Sequence, residues 1–131
     1  MKFSIITPEH DPKNIPFLLE LFDCIKAQTY TQWEWVIFLN GHCTIEHIPT
    51  EIKEYPNVVI FRSFDKNTNI GAIKNAAFSI GRGDVLVEVD HDDLITPNCL
   101  EELYKAFQDK SVGFVYSDNA VLHMKDEFQP Y

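Results

Sequence analysis

Short runs of apolar residues, rich in β-branched and aromatic side chains, alternate along the chain with more polar segments. Such runs predict β-strands, at Phe3–Thr7, Trp35–Leu39, Val58–Phe61 and Val85–Val89. The last of them is almost continuously apolar, which is typical of a strand buried on both faces of a sheet. A further run, Gly113 to Tyr116, predicts a fifth strand that continues toward Leu122.

Three other segments carry apolar residues at positions i, i+3, i+4 and i+7, the spacing of one face of an α-helix. The three stripes are Leu18, Leu21, Phe22 and Ile25; Ile73, Ala76, Ala77 and Ile80; and Leu100, Leu103, Tyr104 and Phe107. Thr96 is placed to cap the third helix, with Pro97 at its first position, and Gly81 marks the end of the second.

Strands that alternate with helices predict an α/β fold. The expected architecture is a mostly parallel sheet with helices on both faces, joined by right-handed crossovers. A length of 131 residues fits one domain, residues 1–131. After Leu122 the sequence is polar and contains no closing element, so we expect a truncated domain that is incomplete at its C-terminus.

Composition narrows the classes of function. An apolar content of 45% is enough for a hydrophobic core, and a formal net charge of -9 argues against a nucleic-acid surface. An acidic protein can still bind one nucleotide diphosphate through a bridging metal and backbone amides. Three widely spaced cysteines, Cys24, Cys43 and Cys99, predict free thiols in a reducing compartment. No apolar run reaches the ~18 residues of a membrane span, so we expect a cytoplasmic protein without a membrane segment.

The strongest chemical signal is the acidic group Asp90, Asp92 and Asp93, directly after the predicted fourth strand. Ligands of open parallel sheets bind at the carboxyl ends of the strands. Carboxylates so close together repel one another unless a proton or a cation intervenes, and oxygen ligands favour Mg²⁺, Mn²⁺ or Ca²⁺. A solvated, helix-capping turn is the alternative. A calcium loop is excluded, because Leu94 and Ile95 occupy positions that need an oxygen ligand and a glycine.

Four local patterns occur in the order seen in one protein family. They are Ser4-Ile-Ile-Thr-Pro-Glu-His-Asp11, Gln28-Thr-Tyr30 followed by Trp33 to Gly41, Asn69-Ile-Gly-Ala-Ile-Lys-Asn-Ala76, and Asp90-His-Asp-Asp93. Together they span roughly residues 3 to 118. With these patterns the chain resembles the nucleotide-sugar-binding half of family 2 glycosyltransferases, which have the Rossmann-like GT-A fold. A catalytic domain of that family is usually longer, and the acceptor side is the part that is missing here.

The resemblance implies an inverting glycosyltransferase that moves a sugar from a nucleoside-diphosphate sugar, UDP-linked in our preferred interpretation, to an acceptor hydroxyl. Mn²⁺ or Mg²⁺ is the expected cofactor. Asp90 would bind the ribose, while Asp92 and Asp93 would hold the metal that bridges the two phosphates. The sugar, the acceptor and the linkage are not predicted.

The resemblance also implies a nucleotide site formed by residues of other loops. Pro8, Glu9 and His10 would frame the base, with His10 stacking on it; the alternative is an ordinary turn. Asn40 stands where the family commonly has Asp, and either binds the base or simply suits an Asn-Gly turn. Lys74, often Arg in the family, either reaches the diphosphate or the acidic group, or is an exposed lysine.

No residue suits the general base, which we therefore expect beyond Tyr131, so that the chain alone binds donor but transfers sugar poorly. His42, Cys43 and His47 fit no zinc spacing and are interpreted as a polar loop. A sugar-1-phosphate nucleotidyltransferase is disfavoured, because residues 8–13 contain no glycine. A non-catalytic nucleotide-sugar-binding or interaction module remains open, because Asn40 and Lys74 both depart from the family pattern.

Overall fold

The computed structural model of the chain describes residues 1–118, 120–122 and 128–130. They form two compact units, Met1–Glu101 and Glu102–Tyr131. The predicted single domain over residues 1–131 stays a prediction. The first unit contains the sheet and all the residues of the predicted nucleotide site, so it positions the chemistry.

The first unit alternates strands and helices, as the sequence predicts. Its elements are β1 (Phe3–Glu9), α1 (Ile15–Lys26), β2 (Trp33–Leu39), α2 (Thr50–Lys53), β3 (Val58–Arg62), α3 (Ile70–Phe78), β4 (Val85–Glu88) and the start of α4 (Cys99–Ala106). The four strands form one sheet in the order β3-β2-β1-β4, and every pairing is parallel. Phe3 pairs with both Trp33 and Val85, so β1 lies in the middle with its neighbours in register. The predicted parallel sheet is confirmed. The prediction that the fourth strand is buried on both faces is wrong, because β4 lies at the edge of this sheet and Leu86 is 46% exposed.

Helices cover both faces of this sheet. On one face α1 buries its predicted stripe, and the ring of Phe22 stacks on Trp35 with 5.7 Å between centroids. On the other face Ala77 of α3 packs in a cluster with Ile6, Val36 and Phe38. Because successive strand residues point to opposite faces, Trp35 packs against α1 and Val36 packs against α3. The α/β class and the helices on both faces are therefore as predicted.

A buried hydroxyl connects three strands at the carboxyl edge of the sheet. The Oγ1 of Thr7 donates to the backbone carbonyl of Val89 at 2.8 Å and accepts from the indole Nε1 of Trp35 at 2.9 Å. Buried polar groups need hydrogen-bond partners, and here the hydroxyl, the carbonyl and the indole N–H provide them for one another. The contacts fix the end of β1 relative to β2 and to the segment that follows β4.

Two helix ends differ slightly from the sequence prediction. Helix α3 ends at Phe78 rather than at Gly81, whose role is instead close approach: a Cβ there would lie 2.7 Å from Leu86 Cδ2 and 2.9 Å from Ser4 Cβ. Helix α4 begins at Cys99, two residues after the predicted start. Its second residue, Leu100, donates its N–H to the buried side chain of Gln28 at 3.1 Å, a tertiary contact that helical spacing does not reveal.

The second unit does not contain the strand predicted at Gly113 to Tyr116. Residues 113–118 are not in a strand, and the side chains of Phe114 and Tyr116 are 81% and 83% exposed. That prediction was wrong because β-favouring residues form a strand only where a partner strand completes the hydrogen bonds. The pairing occurs further on, where β5 (Ala120–Leu122) runs antiparallel to β6 (Phe128–Pro130). The polar segment predicted after Leu122 lies partly outside the described residues.

The cysteines and the helix lengths bear on the predicted reducing compartment and the predicted absence of a membrane segment. All three cysteines are free thiols, as predicted. Within the described ranges, no helix has the length and apolar character needed to cross a bilayer.

A buried carboxylate stabilises the opposite, amino-terminal edge of the sheet. Glu34 is 7% exposed and accepts hydrogen bonds from Ser4 Oγ at 2.6 Å, the Arg82 N–H at 2.7 Å and Lys2 Nζ at 2.8 Å. Burial by itself raises the pKa of Glu34, but the hydrogen bonds from Lys2, Ser4 and Arg82 together outweigh it and hold the pKa below its ordinary value.

This lowered pKa predicts a loss of stability in acid. The stabilisation by Glu34 is complete above pH 4.5, its ordinary pKa, and is lost as the pH falls through the lower pKa of the folded state. Glu34→Gln should lower the free energy of unfolding at pH 7 by about 1.5–3 kcal/mol. That deficit should shrink below pH 4.5, as measured by urea unfolding across the pH range. Glu20→Gln, at an exposed position on α1, is the control and should change little. A deficit that stays constant with pH would contradict the assignment.

Candidate functional site

The strand order places a cleft at the carboxyl edge of the sheet. Strands β2 and β3 lie on one side of β1 and β4 lies on the other, so the direction of the chain across the sheet changes at β1. Open α/β sheets bind their ligands outside the carboxyl ends of the strands at such a switch point. Here the loops after β1, β2 and β4, together with the start of α3, enclose a cleft of about 560 Å³.

The cleft gathers most of the predicted site residues. Pro8, His10, Asn40, Lys74, Asp90 and Asp92 all line it. Glu9 and Asp93 do not: Glu9 is fully buried beneath the first loop, and Asp93 lies in the same turn as Asp90. Residues from four segments distant in sequence therefore meet around one space, which is the arrangement a ligand site requires.

The carboxylate of Glu9 organises the loop after β1. Its Oε1 accepts hydrogen bonds from the backbone N–H groups of His10 at 2.9 Å and Asp11 at 3.1 Å, and from the amide of Asn14 at 2.9 Å. The side chain of Glu9 is fully buried and lies on the face of β1 opposite to Pro8, because successive strand residues point to opposite faces. Glu9 thus shapes the loop that presents Pro8 and His10 to the cleft.

The turn after β2 is built against the same loop. Gly41 has a φ of +58°, a left-handed conformation that glycine adopts without strain, and a Cβ there would lie 2.9 Å from the carbonyl oxygen of His10. That oxygen accepts hydrogen bonds from the N–H groups of His42 at 2.9 Å and Cys43 at 3.1 Å. The Asn-Gly turn is confirmed, and it holds Asn40 and His10 on the same side of the cleft.

The acidic turn after β4 concentrates negative charge. The N–H of Asp93 donates to the carbonyl of Asp90 at 3.1 Å, which closes the turn. Burial raises the pKa of Asp93, and the negative charges of Asp92 and Asp90 raise it further. The repulsion expected from the sequence is therefore present, and a cation at this turn would relieve it.

Lys74 supplies part of the missing positive charge. Its Nζ forms an ion pair with Glu88 and lies 3.2 Å from Asp90 Oδ1. The hydrogen bond to Glu88 is the largest cause that raises the pKa of Lys74, and its contact with Asp90 raises it further, although partial burial opposes both. Of the two interpretations offered by the sequence, the one in which Lys74 reaches the acidic group is correct. Asn69 caps α3 by accepting the Ala72 N–H at 3.1 Å.

Whether a divalent metal fits the acidic turn depends on the carboxylates that do not pair with Lys74. Across the residues that the structure describes, no group of three or more His, Cys, Asp or Glu side chains is arranged to hold a metal ion. Lys74 already pairs with Asp90, which leaves Asp92 and Asp93 as the remaining carboxylate oxygen donors of the turn. Mg²⁺ commonly binds through one or two carboxylates plus substrate phosphates rather than in an all-protein site. The two aspartates fit a cation that binds together with a diphosphate.

Several residues that line the cleft were not predicted from the sequence to belong to the site. They are Gly41, His42, Thr68, Ile70, Ile73 and His91. His91 had a signal, because it stands between two of the aspartates of the acidic turn. Ile70, the first residue of α3, is an apolar side chain that is 62% exposed. An exposed apolar side chain in a cleft is a candidate ligand contact, but the exposure is known only from the structure.

Lys74 yields a prediction about metal binding without nucleotide. Lys74→Met removes a positive charge next to Asp90, so the affinity for Mn²⁺ alone should increase about two- to fivefold, the size of a partly exposed charge interaction. Lys74→Arg keeps the charge and should bind Mn²⁺ like the unmodified chain. Electron paramagnetic resonance of free Mn²⁺ measures both. An unchanged or weaker affinity in Lys74→Met would contradict this picture of charge compensation.

Comparison with known proteins adds a family to this geometry. The family model of "Glycosyl transferase family 2" matches residues 4–126. An uncharacterized glycosyltransferase of Bacillus subtilis, YwdF, is 28% identical over 127 residues, covering 97% of this chain and 45% of YwdF. Hyaluronan synthase of Streptococcus pyogenes is 31% identical over 118 residues, covering 85% of this chain and 28% of the synthase. The chain thus spans less than half the length of these curated relatives.

Solved structures show the same fold. The crystal structure of residues 1–349 of S. aureus TarS superimposes with a TM-score of 0.71 at 18% identity, covering 93% of this chain and 40% of that one. TarS has also been crystallised in complex with UDP-GlcNAc, with the same TM-score of 0.71 and 18% identity, and this chain then covers 38% of it.

Proposed function

The chain belongs to glycosyl transferase family 2, and on that basis we propose that its cleft binds the nucleoside diphosphate of a sugar donor. The proposal is based on one observation: ring and amide side chains line one side of the cleft, and carboxylates line the other. His10 and Asn40 lie on the side of the β1 and β2 loops, and Asp90 and Asp92 lie after β4. One ligand with a planar base at one end and a charged diphosphate at the other matches both.

We assign the base of the nucleotide to the loops after β1 and β2. The imidazole of His10 offers a ring for stacking, and the side-chain amide of Asn40 can both accept from a ring N–H and donate to a carbonyl. Uracil presents such a pair of groups. UDP is therefore the preferred nucleotide, supported by the complexes of TarS, a protein of the same fold, with UDP and UDP-GlcNAc.

We assign the ribose and the diphosphate to the acidic turn after β4. Asp90, which pairs with Lys74, would accept a hydrogen bond from a ribose hydroxyl. Asp92 and Asp93 would hold Mn²⁺ or Mg²⁺ together with the two phosphates. When bound, the metal would supply Lewis-acid stabilisation of the charge on the departing nucleoside diphosphate. Lys74 adds a fixed positive charge next to the same group.

Transfer of the sugar with inversion requires a general base on the face opposite the leaving group. We assign that role to none of the described residues, and a base outside this chain stays a proposal. The proposal for the chain itself is therefore donor binding, with transfer to an acceptor hydroxyl as the reaction of the whole enzyme.

A second candidate is a binding module that does not catalyse transfer. It is favoured by the ion pair between Lys74 and Asp90, which occupies a carboxylate of the acidic motif, and by the lack of a three-residue metal group in the part of the chain that is described. Metal-dependent hydrolysis of a UDP-sugar by the purified chain would favour the enzyme over the module.

A cytoplasmic location is part of the proposal. The three free thiols Cys24, Cys43 and Cys99 suit a reducing compartment, where nothing would drive them into disulfides.

Asp92 gives the most direct test of donor binding. Asp92→Asn removes the negative charge but keeps the size, so UDP affinity in the presence of Mn²⁺ should fall roughly tenfold, or about 1.4 kcal/mol. In the presence of a chelator, UDP should bind the variant and the unmodified chain equally. Asp23→Asn, on the exposed side of α1, is the matched control and should behave like the unmodified chain in calorimetry. If Asp92→Asn keeps the full Mn²⁺ dependence, the metal is held elsewhere.

A further inference from the structure

One oxygen of the buried Glu9 carboxylate has no hydrogen bond. Oε1 is satisfied by three donors from its own loop, whereas Oε2 is buried and finds no partner within the described residues. A buried carboxylate oxygen without a donor destabilises the folded state. The shape of the loop depends on Oε1 alone, and a glutamine would serve it equally well. The second oxygen therefore calls for a separate explanation.

The nearest donor belongs to the acidic turn. His91 Nδ1 lies 3.7 Å from Glu9 Oε2, and the His91 side chain is 20% exposed and lines the cleft. The ring of Phe17 packs against the imidazole with 6.4 Å between centroids. A distance of 3.7 Å is longer than a hydrogen bond, and an approach of about 1 Å would form one. One edge of the ring thus faces the buried carboxylate while the ring also borders the ligand space.

We propose that Glu9 and His91 are a positioning pair, in which the Nδ1–H of His91 donates to Glu9 Oε2. The bond would tie the loop after β1, which carries His10, to the turn after β4, which carries Asp92. It would thereby fix the spacing between the base side and the diphosphate side of the cleft. This consequence rests on the proposed donor binding, but the bond itself does not. Neither residue needs a change of charge, because a neutral imidazole makes the bond with its Nδ1–H tautomer.

The tautomer of His91 provides a test that requires no ligand. Nitrogen-15 NMR of the ligand-free chain at about pH 8.5, where imidazoles are ordinarily neutral, should show His91 as the Nδ1–H form. In Glu9→Gln the amide oxygen takes the three loop donors, so its NH₂ group faces Nδ1. His91 should then switch to the Nε2–H form. His42, which lines the same cleft, is the internal control and should not switch. A His91 tautomer that is the same in both proteins would overturn the pair.

UDP affinity with Mn²⁺ tests the positioning role. Glu9→Gln should weaken binding about three- to tenfold, although Glu9 does not line the cleft. His91→Phe should weaken it at least as much, and His91→Asn, whose amide N–H replaces Nδ1–H, should recover most of the affinity. In the His91→Phe background, Glu9→Gln should have no further effect.

The outcomes separate the two proposals. If the unmodified chain does not bind UDP, the proposed function fails while the tautomer switch still decides the pair. If UDP binds and Glu9→Gln weakens binding equally with and without His91, the positioning role is wrong. Thermal unfolding checks that each variant is folded, and if Glu9→Gln does not fold, the contrast between His91→Phe and His91→Asn carries the test.

Discussion

The compensation of negative charge at the carboxyl edge of the sheet is the constraint on which the site depends. Glu88, Asp90, Asp92 and Asp93 follow one another within a few residues, and burial and mutual repulsion raise the pKa of Asp93. Lys74 pairs with both Glu88 and Asp90 but offsets only one of these negative charges, and no ion pair of Asp92 or Asp93 with Lys or Arg occurs in the described ranges. The compensation is thus incomplete, and a cation that binds with a diphosphate would complete it.

The scaffold determines where this charge stands relative to the other loops. Strand β1 pairs in parallel with both β2 and β4, so the loops after all three strands emerge at one edge. The hydroxyl of Thr7 connects the same three segments through buried hydrogen bonds. The carbonyl of His10 in turn accepts from the turn after β2. The side of the cleft that carries His10 and Asn40 is therefore hydrogen-bonded into the sheet edge, which favours a preformed ligand site.

Much of this arrangement was predictable from the sequence, because it depends on periodicity and on the ends of strands. The four strands, the burial of Leu18, Leu21 and Ile25, and the place of Asp92 after β4 follow from that logic. The roles of His10 and Asn40 were implied only by the resemblance to the family. The errors arose where tertiary contacts decide. The segment at 113–118 has the composition of a strand but no partner, and Gln28 sets the start of α4 through a contact distant in sequence. Likewise, only the structure shows that Glu9 is buried next to His91 and does not itself line the cleft.

Crystals of the chain with UDP and Mn²⁺, analysed by anomalous scattering from manganese, would test the central claim most directly. The account predicts one manganese peak between the diphosphate oxygens and the carboxylates of Asp92 and Asp93, with Lys74 still bound to Asp90 and a much weaker peak in crystals that lack UDP. A manganese ion held by protein side chains alone, or a diphosphate bound away from the acidic turn, would contradict it.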